Sequence, residues 1–154
     1  MKVVLAQEQH IPEIVDLWEE FSRFHEPFDP RYPMKDGIRS GFQIYLKQLM
    51  AEENTKILVA IDKGKLVGYS VAKINQSSPA FKRERYGFIE EMAVTAKSRR
   101  HGVGSKILKE IFIWFKSEKL DMIELSVAAK NKVGYSFWKK HGFKDYLHVL
   151  YLKS

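Results

Sequence analysis

Apolar residues recur along this chain with two spacings, and the switches between them divide it into short strands and amphipathic helices. Lys2 to Ala6 is a short apolar strand. From residue 10 to 25, Ile11, Ile14, Val15, Leu17, Trp18 and Phe21 form one helical face, and Pro12 suits the first turn. His25 to Pro33 holds too much proline for a helix and reads as an aromatic-rich loop. A second helix spans Gly37 to Ala51, with Ile38, Phe42, Tyr45, Leu46 and Met50 inward. Lys56 to Ile61 and Leu66 to Ile74 are strands joined by a turn at Asp62–Lys65, a hairpin. After a polar loop to Arg85, Phe88 to Val94 is a strand. Ile107, Leu108, Ile111, Phe112 and Phe115 then define a long helix. A strand at Met122–Val127, a helix over 131–141 stopped by Gly142, and a final strand at Tyr146–Leu152 complete the chain. The order predicts one α/β domain over residues 1–154, a mixed sheet flanked by helices.

Composition narrows the classes. An apolar fraction of 45% and an aromatic fraction of 13% over 154 residues describe a folded domain with a real core. No apolar run approaches a membrane span, and MKVVLAQEQH lacks the apolar centre of a signal peptide, so a cytoplasmic protein is expected. Zero cysteines exclude disulfides, thiolate metal sites and a cysteine acyl-enzyme. The five histidines (10, 25, 101, 141 and 148) show no ligand spacing, and no metal is expected. A net charge of +7 is compatible with nucleic acid, an acidic membrane or a polyanionic cofactor.

The chemistry concentrates between Phe88 and Phe115, a strand, a basic glycine-containing turn, and a helix. The first N–H groups of a helix lack intrahelical acceptors and carry the positive end of its dipole, so an anion binds there without a special side chain. Gly102 and Gly104 keep Cβ atoms away from those groups, and Arg99 and Arg100 add charge. The turn therefore suits a phosphate. It is neither a dinucleotide fingerprint, because Ile107 stands where the third glycine belongs, nor a P-loop, because Gly104-Ser105-Lys106 has the wrong order.

Two stretches in register resemble the GNAT superfamily of N-acetyltransferases. Val94-x-x-x-x-Arg99-x-x-Gly102-x-Gly104 is similar to its coenzyme A pyrophosphate loop. Asn131-Lys-Val-Gly-Tyr-Ser-Phe137-Trp138-Lys-Lys-His-Gly142-Phe143 is similar to its asparagine and aromatic-pair helix, with Gly134 where alanine is usual. The resemblance implies acetyl-CoA as co-substrate and direct transfer to an amine. The main-chain N–H groups of Arg99, Arg100, His101, Gly102, Val103 and Gly104 would hold the pyrophosphate, with Ser105 adding a hydroxyl. Asn131 and Trp138 would contact the coenzyme, and the main chain of Met92, Ala93 and Val94 would face the thioester.

An alkyl ammonium has a pKa of ~10.4 and must lose a proton before it attacks. Glu90 and Glu91 lie on the preceding strand; the resemblance favours Glu90 as the base, with Glu91 as substitute. Alternation lets only one of them face the cleft unless a bulge intervenes. Trp138 occupies the place where many relatives carry a tyrosine acid, and its N–H cannot release a proton at neutral pH, so Tyr135 is the replacement candidate. The loop from His25 to Met34, with Glu26, Phe28, Asp29 and Tyr32, is the expected wall of the amine pocket. The acceptor is a small-molecule or protein amine, a homodimer stays open, and neither nucleic acid nor membrane is an expected partner. Alternatives are a weakly catalytic acyl-CoA-binding module, a transferase of longer acyl groups, and a nucleic-acid binder resting on Arg83, Arg85, Arg99 and Arg100.

Overall fold

A computed structural model describes residues 1–154. Nine main elements follow in the order β1 (Lys2–Leu5), α1 (Ile11–His25), α2 (Ile38–Ala51), β2 (Thr55–Asp62), β3 (Lys65–Gln76), β4 (Arg85–Val94), α3 (Val103–Ser117), β5 (Ile123–Leu125) and α4 (Lys132–Lys140). The five strands form one sheet in the order β1-β2-β3-β4-β5. β1 to β4 pair antiparallel, and β5 joins β4 in parallel, as a strand reached through the crossover helix α3 can.

The sheet is buried on both faces. Ile57 and Val59 of β2, with Tyr69 and Val71 of β3 and Ala93 of β4, pack under α1 and α2. Leu58 and Ala60, with Ala72, Ile74 and Ile89, pack under Ile107, Leu108, Ile111, Trp114 and Phe115 of α3. β2 therefore reads as a continuous apolar run, the signature of a strand covered from both sides.

Three departures from the sequence expectation matter. β5 is three residues long, not the six from Met122 to Val127, because it runs beside β4 only from Gly87 to Ile89. β4 is bulged: Val71 pairs with Glu91 and the next residue, Ala72, with Ile89, so Glu90 is the inserted residue. The final strand at Tyr146–Leu152 does not form; the chain beyond Phe143 has no regular structure and no main-chain hydrogen bond.

Candidate active site

The site begins where β4 and β5 part. After Ile89–Leu125 the ladder stops, while β4 continues to Val94 paired only with β3. From Glu90 to Val94, the edge that faced β5 therefore carries main-chain groups with no strand opposite them. This open edge leads into the turn before α3. Arg100 (φ 65°) and Gly102 (φ 79°) both adopt left-handed backbone there. A Cβ on Gly102 would meet nothing within 4 Å, so that glycine is set by its backbone angle and leaves open space beside the helix start. Gly104 has a different reason, since its Cβ would come within 3.1 Å of the Phe137 ring; the glycine lets α4 close on α3. No side chain caps α3, which leaves the first amides, at Val103, Gly104 and Ser105, for an anion. A groove of about 370 Å³ continues along the outer side of α3, lined by Ser105, Lys109, Lys116 and His141 among others. Ser105 Oγ lies 3.1 Å from His141 Nε2, tying the two helices at its rim.

The bulge turns both carboxylates to the α1/α2 side. Glu91 follows the alternation of Ala93 on that face. Glu90, shifted by the insertion, reaches the same side and accepts hydrogen bonds from Tyr45 Oη at 2.8 and 2.9 Å, with Lys73 Nζ 3.0 Å away. The two differ sharply in setting. Glu90 is held by a cation and a hydroxyl. Glu91 is largely buried, with no cation near it, and accepts a hydrogen bond from the fully buried Tyr69 hydroxyl. Burial pushes its carboxyl up to about 7, the Tyr69 bond opposes the rise, and the Glu90 charge adds to it. Burial, with Glu91 beside it, also drives the Tyr69 hydroxyl well above its ordinary value, so Tyr69 is a fixed donor.

The helix after β5 meets part of its expectation. Asn131 is buried and caps α4, accepting from Gly134 N at 2.9 Å. Its amide Nδ2 also donates to His25 Nε2 at 3.2 Å, while His25 Nδ1 donates to the Phe21 carbonyl at 2.9 Å. The end of α1 and the start of α4 are thus bolted together, a contact between residues too far apart in the chain for spacing to reveal. Trp138 packs edge-on to Phe137 and Phe143. Tyr135 is exposed, and its hydroxyl donates to Asp145 at 2.8 Å.

Arg99 is tied to the protein body. Its Nε donates to the Val94 carbonyl at 3.2 Å, its terminal nitrogen lies 3.8 Å from Glu20, and its guanidinium lies over Phe24. Glu20 also accepts from Ala96 N at 2.8 Å, fastening α1 to the turn. Arg100 and His101 are exposed. Arg83 pairs with Asp121 and Arg85 with Glu118, so three of the four arginines of the nucleic-acid reading are engaged with acids. In the expected acceptor loop, Phe28 sits edge-on to Phe24, and Arg31 grips Asp29, holding that carboxyl down at about 2.

Tyr45, Lys73, Tyr69 and His25 were missed at the level of sequence. Each sits on a helix face or strand where its apolar body or stem serves packing equally well, and only the folded register brings it to Glu90, Glu91 or Asn131.

Comparison with known proteins agrees with this geometry. A profile of the Acetyltransferase (GNAT) family matches residues 14–143. An uncharacterised N-acetyltransferase of Methanocaldococcus jannaschii is 28% identical over 130 residues, covering 84% of this chain and 56% of its own length. A homologue of the ARD1 subunit of the N-terminal acetyltransferase complex, from Dictyostelium discoideum, is 27% identical over 125 residues, covering 71% of this chain and 59% of its own. The chain thus spans less than two thirds of either relative. A crystal structure of a predicted acetyltransferase with acetyl-CoA, from Clostridium acetobutylicum, superposes with a TM-score of 0.78 at 20% identity, over 99% of this chain and 95% of that one. With an open β4 edge that runs into an uncapped helix start and a profile match over most of the sequence, this chain belongs to the Acetyltransferase (GNAT) family.

Proposed function

We propose that the enzyme transfers the acetyl group of acetyl-CoA directly to a primary amine, on a small molecule or a protein. The observation that carries the reading is the continuity of the free β4 edge from Glu90 to Val94 with the uncapped amides of Val103 to Ser105. A long ligand with a phosphate-bearing end and a carbonyl-bearing end fits a site of that shape. The amides and the open space at Gly102 suit a diphosphate, and Lys109, Lys116 and His141 along the groove suit the rest of its charge. When bound, acetyl-CoA supplies an activated thioester; everything else is done by the protein. Main-chain N–H groups on the β4 edge are the donors available to a carbonyl oxygen that gains negative charge.

The proton of the incoming ammonium goes to Glu91, through water. This departs from the sequence expectation of Glu90. A carboxyl that titrates near 7 is ionised in a useful fraction at neutral pH and still basic enough to accept a proton. Glu90 stays engaged with Lys73 and Tyr45 beside it. Tyr135 lies on Asp145, so the thiolate leaves without it; with a thiol pKa of ~8.5 it is a tolerable leaving group.

Two measurements test the reading. Calorimetry with acetyl-CoA should give saturable binding at one site per chain, and release of free thiol should depend on added amine. Binding without thiol release across a broad amine panel would leave a coenzyme-binding module instead. Faster turnover with longer acyl thioesters would reassign the donor.

A further inference from the structure

We propose that His25 is a positioning residue of the transferase site: acting through Asn131, it sets the start of α4 for the coenzyme and ties that helix to the loop that follows α1. The proposal rests on the reading of the site as a coenzyme site with Asn131 among its contacts, and deepens it.

The groups that join α1 to α4 have fixed roles. The Phe21 carbonyl can only accept, so the ring nitrogen 2.9 Å from it, Nδ1 of His25, carries the proton. In the neutral ring Nε2 is then bare and accepts, and it faces Asn131 Nδ2 at 3.2 Å. The other end of that carboxamide, Oδ1, accepts from Gly134 N at 2.9 Å. The bonds run with one polarity from the main chain of α4 to the main chain of α1. Reversing the carboxamide, or moving the ring proton to Nε2, would break two of them at once. Phe21, Phe24 and Phe28 pack around the His25 ring, with centroids 4.1, 5.2 and 6.1 Å away, and hold its plane.

Gly134 is the second observation. A plain helix cap needs only Oδ1 on the Gly134 amide. Here a Cβ at 134 would stand 2.6 Å from Asn131 Nδ2, the atom that donates to His25. The carboxamide leans over residue 134 to reach α1, and glycine makes the room. His25 and Gly134 are therefore a matched pair, one at each end of the same side chain. Asn131 is 6% exposed, and its two bonds leave one N–H and one lone pair in a set orientation. Those are what it has to offer a coenzyme.

His25 is also the last residue of α1, and Glu26–Phe28, a short 3-10 turn, opens the expected acceptor loop directly after it. The same end of α1 holds the opposite wall of the site. Glu20 accepts from Ala96 N at 2.8 Å, and the Arg99 guanidinium lies 5.1 Å over the Phe24 ring. The end of α1 thus grips both the turn after β4 and the start of α4. A coenzyme that engages Asn131 stiffens the loop through His25.

Nitrogen NMR of histidine-labelled protein above neutral pH should show His25 in the Nδ1–H form, its signals identified by their loss in His25→Phe. Calorimetry with coenzyme A should give a dissociation constant about 5- to 10-fold weaker for His25→Phe, which keeps the ring packing and removes the acceptor. His25→Gln, which returns an acceptor oxygen near the place of Nε2, should recover most of that loss; a packing role alone would make phenylalanine the milder change. Coenzyme A should slow main-chain hydrogen exchange in residues 26–34 of the wild type and of His25→Gln, and leave it unchanged in His25→Phe. His25 in the Nε2–H form, equal affinity in wild type and His25→Phe, a loss as large with glutamine as with phenylalanine, or a wild-type loop that ignores coenzyme A would each overturn the proposal and leave acetyl transfer standing. A wild type that binds no coenzyme A would remove the coenzyme site, and this role of His25 with it.

Discussion

At the scale of residues, the inserted Glu90 decides which carboxylate does what. Glu91 ionises in the unfolded chain near its ordinary 4.5 and in the fold at about 7. Its folded form therefore holds the extra proton between these values, and stability falls as pH rises through that window by about 3 kcal/mol. Glu91→Gln removes this dependence, so thermal melts should show the variant gaining on wild type from about pH 5 to 8. Turnover should fall by about 10²- to 10⁴-fold in the same protein. A variant as active as wild type would return the base to Glu90. Tyr69→Phe gives a finer test. The Tyr69 hydrogen bond holds the Glu91 carboxyl lower than burial alone would, so its removal should move the acid limb of the pH–rate profile to higher pH. A limb that stays in place would show that Glu91 is not the group titrating. Two adjacent glutamates were legible in the sequence, but their facing was not. Alternation puts neighbours on opposite sides, and one extra residue in one strand defeats it.

At the scale of elements, most of the fold was legible because each helix and inner strand carries its own apolar period. Ile11, Ile14, Val15, Leu17 and Trp18 of α1 and the run of β2 are all buried, as their spacing requires. The turn before α3 was legible in position, while its two glycines turned out to serve different needs, a left-handed backbone at Gly102 and a ring contact at Gly104. Gly134 is the instructive case, because glycine in a helix loses about 1 kcal/mol against alanine. Here a Cβ would stand 2.6 Å from Asn131 Nδ2 and 3.0 Å from its Cγ. The same Asn131 side chain caps α4 and holds His25. Gly134→Ala should therefore give no rise in melting temperature, because loss of the cap, typically about 1 kcal/mol, offsets the gain in helix propensity. A rise of several degrees would mean that the asparagine cap is dispensable.

At the scale of the whole molecule, the open β4 edge follows from a sheet that is well paired from β1 to β4 and thins to three residues at β5. The spacing of Tyr146–Leu152 predicts a strand, yet none forms and the segment is exposed, because periodicity reports a strand's faces and is silent on which edge it joins.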